Sequence, residues 1–226
     1  MSLRDLMSAL LAKRSTFMED MNFIYYFGLL VFAYMLGSIP FGLVFTRIFT
    51  SVDIRQEGSG NIGATNVRRI AGTSIGLLTL AGDVLKGMVP VYLATAMSYP
   101  SHLAYEIFIC LTAFCAFSGH LYPVYMKFKN GGKGVATALG CFLVLSPVAC
   151  LAALLAFLLV ALSSNHASTG SLSAAAVMPV AVWIKTNSPV ITICTAIISI
   201  FIAYRHKDNI KRLMAGTENV IRKREK

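Results

Sequence analysis

Val135-Ala-Thr-Ala-Leu-Gly-Cys-Phe-Leu-Val-Leu-Ser-Pro-Val-Ala-Cys-Leu-Ala-Ala-Leu-Leu-Ala-Phe-Leu-Leu-Val-Ala-Leu162 contains no charged residue and a single break, at Ser146-Pro147. A helix needs about 20 apolar residues to cross a bilayer core of about 30 Å, and fewer where it packs on neighbours. Proline ends or kinks a helix and suits the first turn of a new one. The run therefore divides into two short spans, 135–145 and 147–162. Upstream, apolar runs cover 23–50, 73–97 and 103–126; downstream they cover 172–184 and 189–204. The pattern predicts an all-α, polytopic membrane bundle of about seven transmembrane helices with Gly-rich loops.

Composition agrees. The 226 residues are 56% hydrophobic and 13% charged, with mean hydropathy +0.68, whereas soluble domains are roughly a quarter charged. A soluble protein of this size would need more polar surface to cover its core. The net charge of +10 suits anionic lipid or an anionic substrate, and no nucleic-acid partner is expected. Cys110, Cys115, Cys141, Cys150 and Cys194 all lie in apolar runs without CxxC or Cys/His ligand spacing. They are expected to be packing residues rather than disulfides or metal ligands.

No secretory signal is legible, because the first apolar run is too long and lacks a small-residue cleavage pattern. Residues 1–20 are polar and of mixed charge, and Met18 and Met21 directly precede that run. These residues are expected to form an N-terminal tail, with the native start at one of the two methionines, a point for N-terminal sequencing. A membrane domain over 21–213 and a basic tail over 214–226 complete the expected organisation.

Seven spans would put the loops after the first, third and fifth on one side with the C-terminus. That side holds Arg55, Arg68, Arg69, Lys127, Lys129, Lys133 and the basic stretch from Arg205 onward. The opposite turns, 98–102, around Ser146 and 185–188, hold only Lys185. Excess Lys and Arg marks the cytoplasmic side, so the basic loops and the C-terminus are expected in the cytoplasm. Arg4, Lys13 and Arg14 in the N-terminal tail run against this.

Every glycine-rich or polar cluster falls on that same side, and polar backbone at membrane depth is tolerated only where it lines protein or a wet cavity. The first cluster, 53–69, is Asp-Ile-Arg-Gln-Glu-Gly-Ser-Gly-Asn-Ile-Gly-Ala-Thr-Asn-Val-Arg-Arg. Gly58, Gly60 and Gly63 satisfy G-x-G-x-x-G, but a dinucleotide site needs a βαβ unit and this chain offers none. A backbone cradle for phosphate fits better, with Ser59, Asn61, Thr65 and Asn66 as side-chain partners. The other option is a plain interfacial loop.

The second cluster, 119–134, ends in Lys-Phe-Lys-Asn-Gly-Gly-Lys-Gly. Lys133 is followed by Gly134 rather than Ser or Thr, so its likeness to a Walker loop is superficial. Gly132 and its neighbours would let backbone approach an oxyanion while Lys133 neutralises it. Lys127, Lys129 and Lys133 would equally serve to anchor anionic headgroups. The third cluster, 163–171, puts hydroxyls around Ser168 at a helix start, where they read as N-caps. In the fourth, His206 and Asn209 are three apart beside Arg205, hence on one helix face. His206 is a candidate acid or base, although a lone interfacial histidine is more often solvated. Asp83 and Lys86 lie three apart within the second span; unpaired they would be costly, so a structural pair is favoured over a site role.

Taken together, these runs resemble the bacterial acyl-phosphate-dependent glycerol-3-phosphate acyltransferase family. The matching pieces are Gly37-Ser-Ile-Pro-Phe-Gly42, Asp53-Ile-Arg with 58–66 and Arg69, Asp83-x-x-Lys86-Gly, Gly119-His with Pro123, Gly131-Gly-Lys-Gly-Val-Ala-Thr137, and Arg205-His-x-x-Asn-Ile-x-Arg-Leu213. They occur in the family's order. Two positions depart: Asn130 interrupts the usual passage from Lys into Gly-Gly-Lys, and the stretch around Asn165 lacks an Arg that some members carry before Ser168.

The resemblance implies a seven-span bacterial inner-membrane enzyme that acylates the 1-hydroxyl of glycerol-3-phosphate from a fatty acyl phosphate, the first step of phospholipid synthesis. Lysophosphatidic acid and phosphate would be the products, with no cofactor. It further implies that Ser59, Arg69, Lys133, Ser168, His206 and Asn209 line a polar pocket, with Gly58, Gly60, Asn61, Thr65, Asn66, Gly132 and Arg205 around the phosphates. A soluble acyl-phosphate-forming enzyme is an expected partner. The residues suit such chemistry: Arg69 and Lys133 would neutralise phosphate, a groove between spans would take the alkyl chain, and an activated donor needs positioning rather than a covalent nucleophile. Ser59 and Asn209 would orient the hydroxyl while His206 or a substrate phosphate takes its proton.

Other classes fit less well. An acyl-CoA-type acyltransferase needs Asp five beyond a His, but His102, His120, His166 and His206 are followed there by Ile107, Tyr125, Ser171 and Lys211. A phosphatidyl-alcohol transferase needs clustered metal-binding aspartates. The remaining rival is a membrane anion or phosphate transporter, in which broken helices and Gly loops also form anion sites. Against it, the motifs share one face and no internal repeat is visible.

Overall fold

The computed structural model describes residues 24–97 and 99–222, so the tail 1–20 and the expected start sites lie outside the described residues. The first apolar run is broken. Its described helix α1 (Ile24–Gly37) meets α2 (Phe41–Phe49) at 44°, because Pro40 has no N–H with which to continue the helix. An irregular loop leads to the short α3 (Ala64–Ala71), which ends at Gly72 with φ of 92°. The long α4 (Thr73–Thr95) and α5 (His102–Leu121) follow, then a single 3-10 turn, Val124–Met126.

The deciding apolar run divides where the sequence placed the break. Helix α6 (Val135–Leu145) stops at Ser146, and Pro147 opens α7 (Pro147–Ser164). Then come α8 (Ala167–Thr186), α9 (Pro189–Arg205) and α10 (Lys207–Met214), the last two meeting at 54° about His206. No strand occurs among the described residues. Helices α4, α5, α7 and α8 are each long and apolar enough to cross a membrane, and the bent pairs α1–α2 and α9–α10 qualify as pairs. The fourth element is as short as the sequence read it: α6 has 11 residues, or about 16 Å at 1.5 Å per residue, roughly half a bilayer core. The non-helical Gly131–Gly134 stretch ahead of it is packed against the last turn of α5, since a Cβ on Gly134 would overlap the Phe117 ring and one on Gly131 the Leu121 carbonyl.

Glycines bring the central helices together. A Cβ on Gly87 would overlap the Thr137 carbonyl, and one on Gly140 the Val84 carbonyl, so α4 and α6 touch backbone to backbone. Small residues at such crossings gain dispersion and short dipole contacts where lipid offers no hydrophobic drive. The main core joins α5, α6, α8 and α9 through Phe117, Leu121, Phe142, Met178, Val182 and Ile198. The outer faces are apolar: Leu151, Leu155, Leu159 and Leu162 along α7 are exposed, the pattern of a helix meant for lipid. The five cysteines are free, four of them buried. Gly140→Leu should separate α4 from α6, costing at least the roughly 1–3 kcal/mol of an overpacked site, and should lower the melting temperature in detergent; an unchanged melting curve would refute that contact.

Candidate active site

The second glycine cluster is held from both ends. Arg205, at the end of α9, donates from Nε to the Gly132 carbonyl at 3.1 Å and from a terminal nitrogen to the Gly131 carbonyl at 2.6 Å. From beneath, the Gly132 N–H donates to the His120 carbonyl at 3.1 Å. A loop buried among helices must satisfy its own polar groups, and Arg205 does this for two carbonyls. Its guanidinium therefore shapes the loop, and its cation also lies 5.9 Å from the Tyr122 ring centre.

Lys133 then emerges from the clamped loop and donates to Asn209 Oδ1 at 2.5 Å. The other end of that amide donates from Nδ2 to Glu218 Oε1 at 2.6 Å, which fixes the amide's orientation. Glu218 Oε1 also accepts from Ser168 Oγ at 3.0 Å, and Oε2 from Arg212 Nε at 2.8 Å. Arg69, exposed on α3, is close enough for its charge to act on Lys133. His206, 2% exposed at the α9–α10 break, faces the Ile202 carbonyl with Nδ1 at 2.8 Å. A carbonyl only accepts, so in the neutral ring Nδ1 carries the hydrogen and Nε2 keeps its lone pair. At the break the His206 N–H is shared between the Ile202 and Ala203 carbonyls, and its own carbonyl accepts from Ile210 at the start of α10.

Thus the structure brings Lys133, Ser168, His206 and Asn209 together, with Arg69 nearby. It also brings in two residues the sequence offered no role, Glu218 and Arg212. Burial would raise the Glu218 carboxyl, but hydrogen bonds from Asn209, Arg212 and Ser168 and the Arg212 charge outweigh it and hold it below the ordinary range. The one available signal was an acid standing in a basic tail. That tail is strapped down: Ile221 N donates to the Asn165 carbonyl, Arg222 N to Asn165 Oδ1, and Asn165 Nδ2 to the Arg222 carbonyl. Ser168, in the first turn of α8, is no cap; the cap position is His166 and carries no side-chain cap bond.

The 53–69 loop is self-stitched. Asn66 accepts the Ser59 N–H at its Oδ1 and donates to the carbonyls of Glu57 and Asn61, while Asn61 Oδ1 accepts the Gly63 N–H. Gly58 and Gly60 take φ of 61° and 66°, and a Cβ on Gly58 would overlap Asn66 Oδ1. Both Asn amides therefore shape the loop from inside. Ser59 and Thr65 are exposed beside it, and no hydrogen bond ties the Ser59 hydroxyl to the Lys133 cluster among the described residues.

Between α8 and α9 an open, apolar groove of about 300 Å³ is lined by Leu172, Ala175, Pro179, Ala196, Ile200 and Ala203. Leu172 is one turn beyond Ser168, and Ala203 is one turn before His206, so the groove lies about one turn from the polar cluster along both helices.

Bent and half-length helices, with a polar, cation-bearing cluster beside a lipid-facing groove, define a polytopic membrane protein built to bring charged and apolar chemistry together. The chain belongs to the glycerol-3-phosphate acyltransferase family, which it matches over residues 27–216. It is 49% identical to the glycerol-3-phosphate acyltransferase of Syntrophotalea carbinolica over 84% of this chain and 95% of the relative. The corresponding protein of Trichlorobacter lovleyi is 47% identical over 83% and 93%. The fold is similar to the crystal structure of PlsY (YgiH), an integral membrane glycerol 3-phosphate acyltransferase, in its glycerol 3-phosphate form, with TM-score 0.81 and 36% identity over 88% of this chain and 96% of that one. Its lysophosphatidic acid form superposes with TM-score 0.78 and 35% identity over 87% and 95%. The chain is accordingly a multi-pass membrane acyltransferase, and the transporter alternative falls away.

Glu218→Ala would leave Asn209, Ser168 and Arg212 without their shared acceptor. Leaving hydrogen-bonding groups without their acceptor costs about 1–3 kcal/mol, so the variant should melt earlier in detergent and lose turnover, whereas a surface tail acid would change neither.

Proposed function

We propose that this protein transfers a fatty acyl group from an acyl phosphate to the 1-hydroxyl of glycerol-3-phosphate, releasing lysophosphatidic acid and inorganic phosphate. The observation that carries this is the meeting of Lys133, Asn209, Ser168 and His206 beside an apolar groove. A donor with an alkyl chain and a charged head would lie with its chain in the groove and its phosphate among Lys133, Arg69 and the backbone of the Gly132 loop. The acceptor oxygen bonds to the acyl carbon as the bond from that carbon to the phosphate oxygen breaks. The hydroxyl proton passes to His206 Nε2 or to the departing phosphate. Ser59 and Asn209 would orient the acceptor, while Gly58, Gly60, Asn61, Thr65 and Asn66 shape the loop that carries Ser59.

The excess of Lys and Arg on the loops of one side supports placement in a bacterial inner membrane with the site and C-terminus cytoplasmic. That basic face would also receive a soluble enzyme that makes the acyl phosphate. The catalytic unit would span 21–213, with 217–222 contributing Glu218.

Purified protein given palmitoyl phosphate should release phosphate only when glycerol-3-phosphate is present, and Lys133→Ala should abolish the release. Release without acceptor, or none with wild-type protein, would overturn the reaction. His206→Ala should reduce turnover about 10²-fold or more, as loss of a proton acceptor does, with expression unchanged; if turnover barely moves, His206 leaves the scheme.

A pH dependence follows from Lys133. Burial pushes its ammonium down to about 8, with Arg212 and Arg69 adding to the shift and Glu218 opposing it. Phosphate favours the charged form, so binding is fully supported below that value and weakens as the pH rises through it. KM for glycerol-3-phosphate should climb above about pH 8 relative to its value near pH 7, where the phosphate (second pKa about 6) and Lys133 are both charged; Lys133→Arg, charged throughout, should flatten the climb.

A further inference from the structure

A second set of charged groups lies under the glycine loop, in the bundle, and takes no part in the chemistry above. Lys86 on α4 is 1% exposed and Asp83, one turn earlier, is 2% exposed. The Lys86 ammonium stands 2.8 Å from Asp83 Oδ1 and donates to the Ile39 carbonyl at 2.8 Å. Ile39 sits in the α1–α2 break, where Pro40 leaves the helix ladder incomplete. The same Asp83 oxygen lies 3.6 Å from Nδ1 of His120, itself buried at the end of α5. The Lys86 ammonium is thus the close partner of that oxygen, and the His120 ring, at 3.6 Å, adds a weaker charge–dipole attraction.

The far side of the imidazole meets the loop. A Cβ on Gly132 would overlap His120 Nε2, and one on Gly131 would overlap the Leu121 carbonyl, so the two glycines lie flat on the last turn of α5. Arg205 presses on the same peptide units from above, through their carbonyls. The next residue is Lys133. We infer that His120 is a positioning residue for the Lys133 loop, its ring held under Gly132 by Asp83 and Lys86, which are in turn anchored on the α1–α2 break. An intramembrane ion pair is costly, and here it ties the broken first span to the loop that presents the ammonium. Arg205 holds the loop from above through its carbonyls, the His120 ring sets its floor, and a misplacement of about 1 Å in a binding group can cost about 10²-fold.

This rests on the phosphate-binding role of the Lys133 loop proposed above. The test is steady-state kinetics, with melting temperatures, on purified full-length wild type, Gly132→Ala, His120→Asn and the double variant. Asn is shorter than His but keeps an amide donor for Asp83. Gly132→Ala should raise KM for glycerol-3-phosphate by on the order of tenfold with kcat within about threefold, the signature of displaced binding. His120→Asn, by vacating the space under the loop, should restore much of that affinity in the double variant although it weakens binding alone. If the double variant is no better than Gly132→Ala, or if His120→Asn lowers the melting temperature and leaves KM unchanged, His120 is only structural and the inference fails. A wild type that does not turn over would overturn the reaction itself, and the inference with it.

Discussion

Two carbonyls without a helix to receive them, those of Gly131 and Gly132, end on one guanidinium, that of Arg205. Much of the site depends on that contact. A bilayer has no water to satisfy exposed backbone, so a non-helical segment survives there only if protein supplies its partners. Arg205 supplies them from the end of α9, the His120 carbonyl accepts from the Gly132 N–H, and the side chain left free to act is Lys133.

The second organising contact is Glu218. One carboxylate gathers Asn209, Ser168 and Arg212, and through Asn209 it sets the direction of the Lys133 ammonium. A carboxylate among several cations relieves their mutual repulsion before a phosphate arrives. The strap from 217 to 222, bonded to Asn165, brings that carboxylate back to the start of α8. The pocket is thus closed by residues distant in the chain, on α8, on α10 and on the strap beyond it.

Much of the plan was legible in the chain. The apolar runs, the Ser146-Pro147 division and the pairing of Asp83 with Lys86 appear as read; of the pocket that the family resemblance implied, Lys133, Asn209 and Ser168 are joined through Glu218, whereas Ser59 has no bond to them. Less legible were the side chains that serve the backbone. Arg205, read as a phosphate ligand, has donors engaged on loop carbonyls, and Asn61 and Asn66 have amides engaged within their own loop. Such roles depend on where carbonyls end up, and spacing does not reveal that.

By itself, the sequence determined which segments live in lipid and where helices must stop, because apolar length and proline act locally along the chain. It also determined the chemical kinds available to the site. Only the tertiary structure decided that Glu218 joins Lys133's partners and that His120 lies under Gly132. These depend on close approaches between α4, α5, α6 and the strap, and a contact between distant segments leaves no periodic trace in either of them.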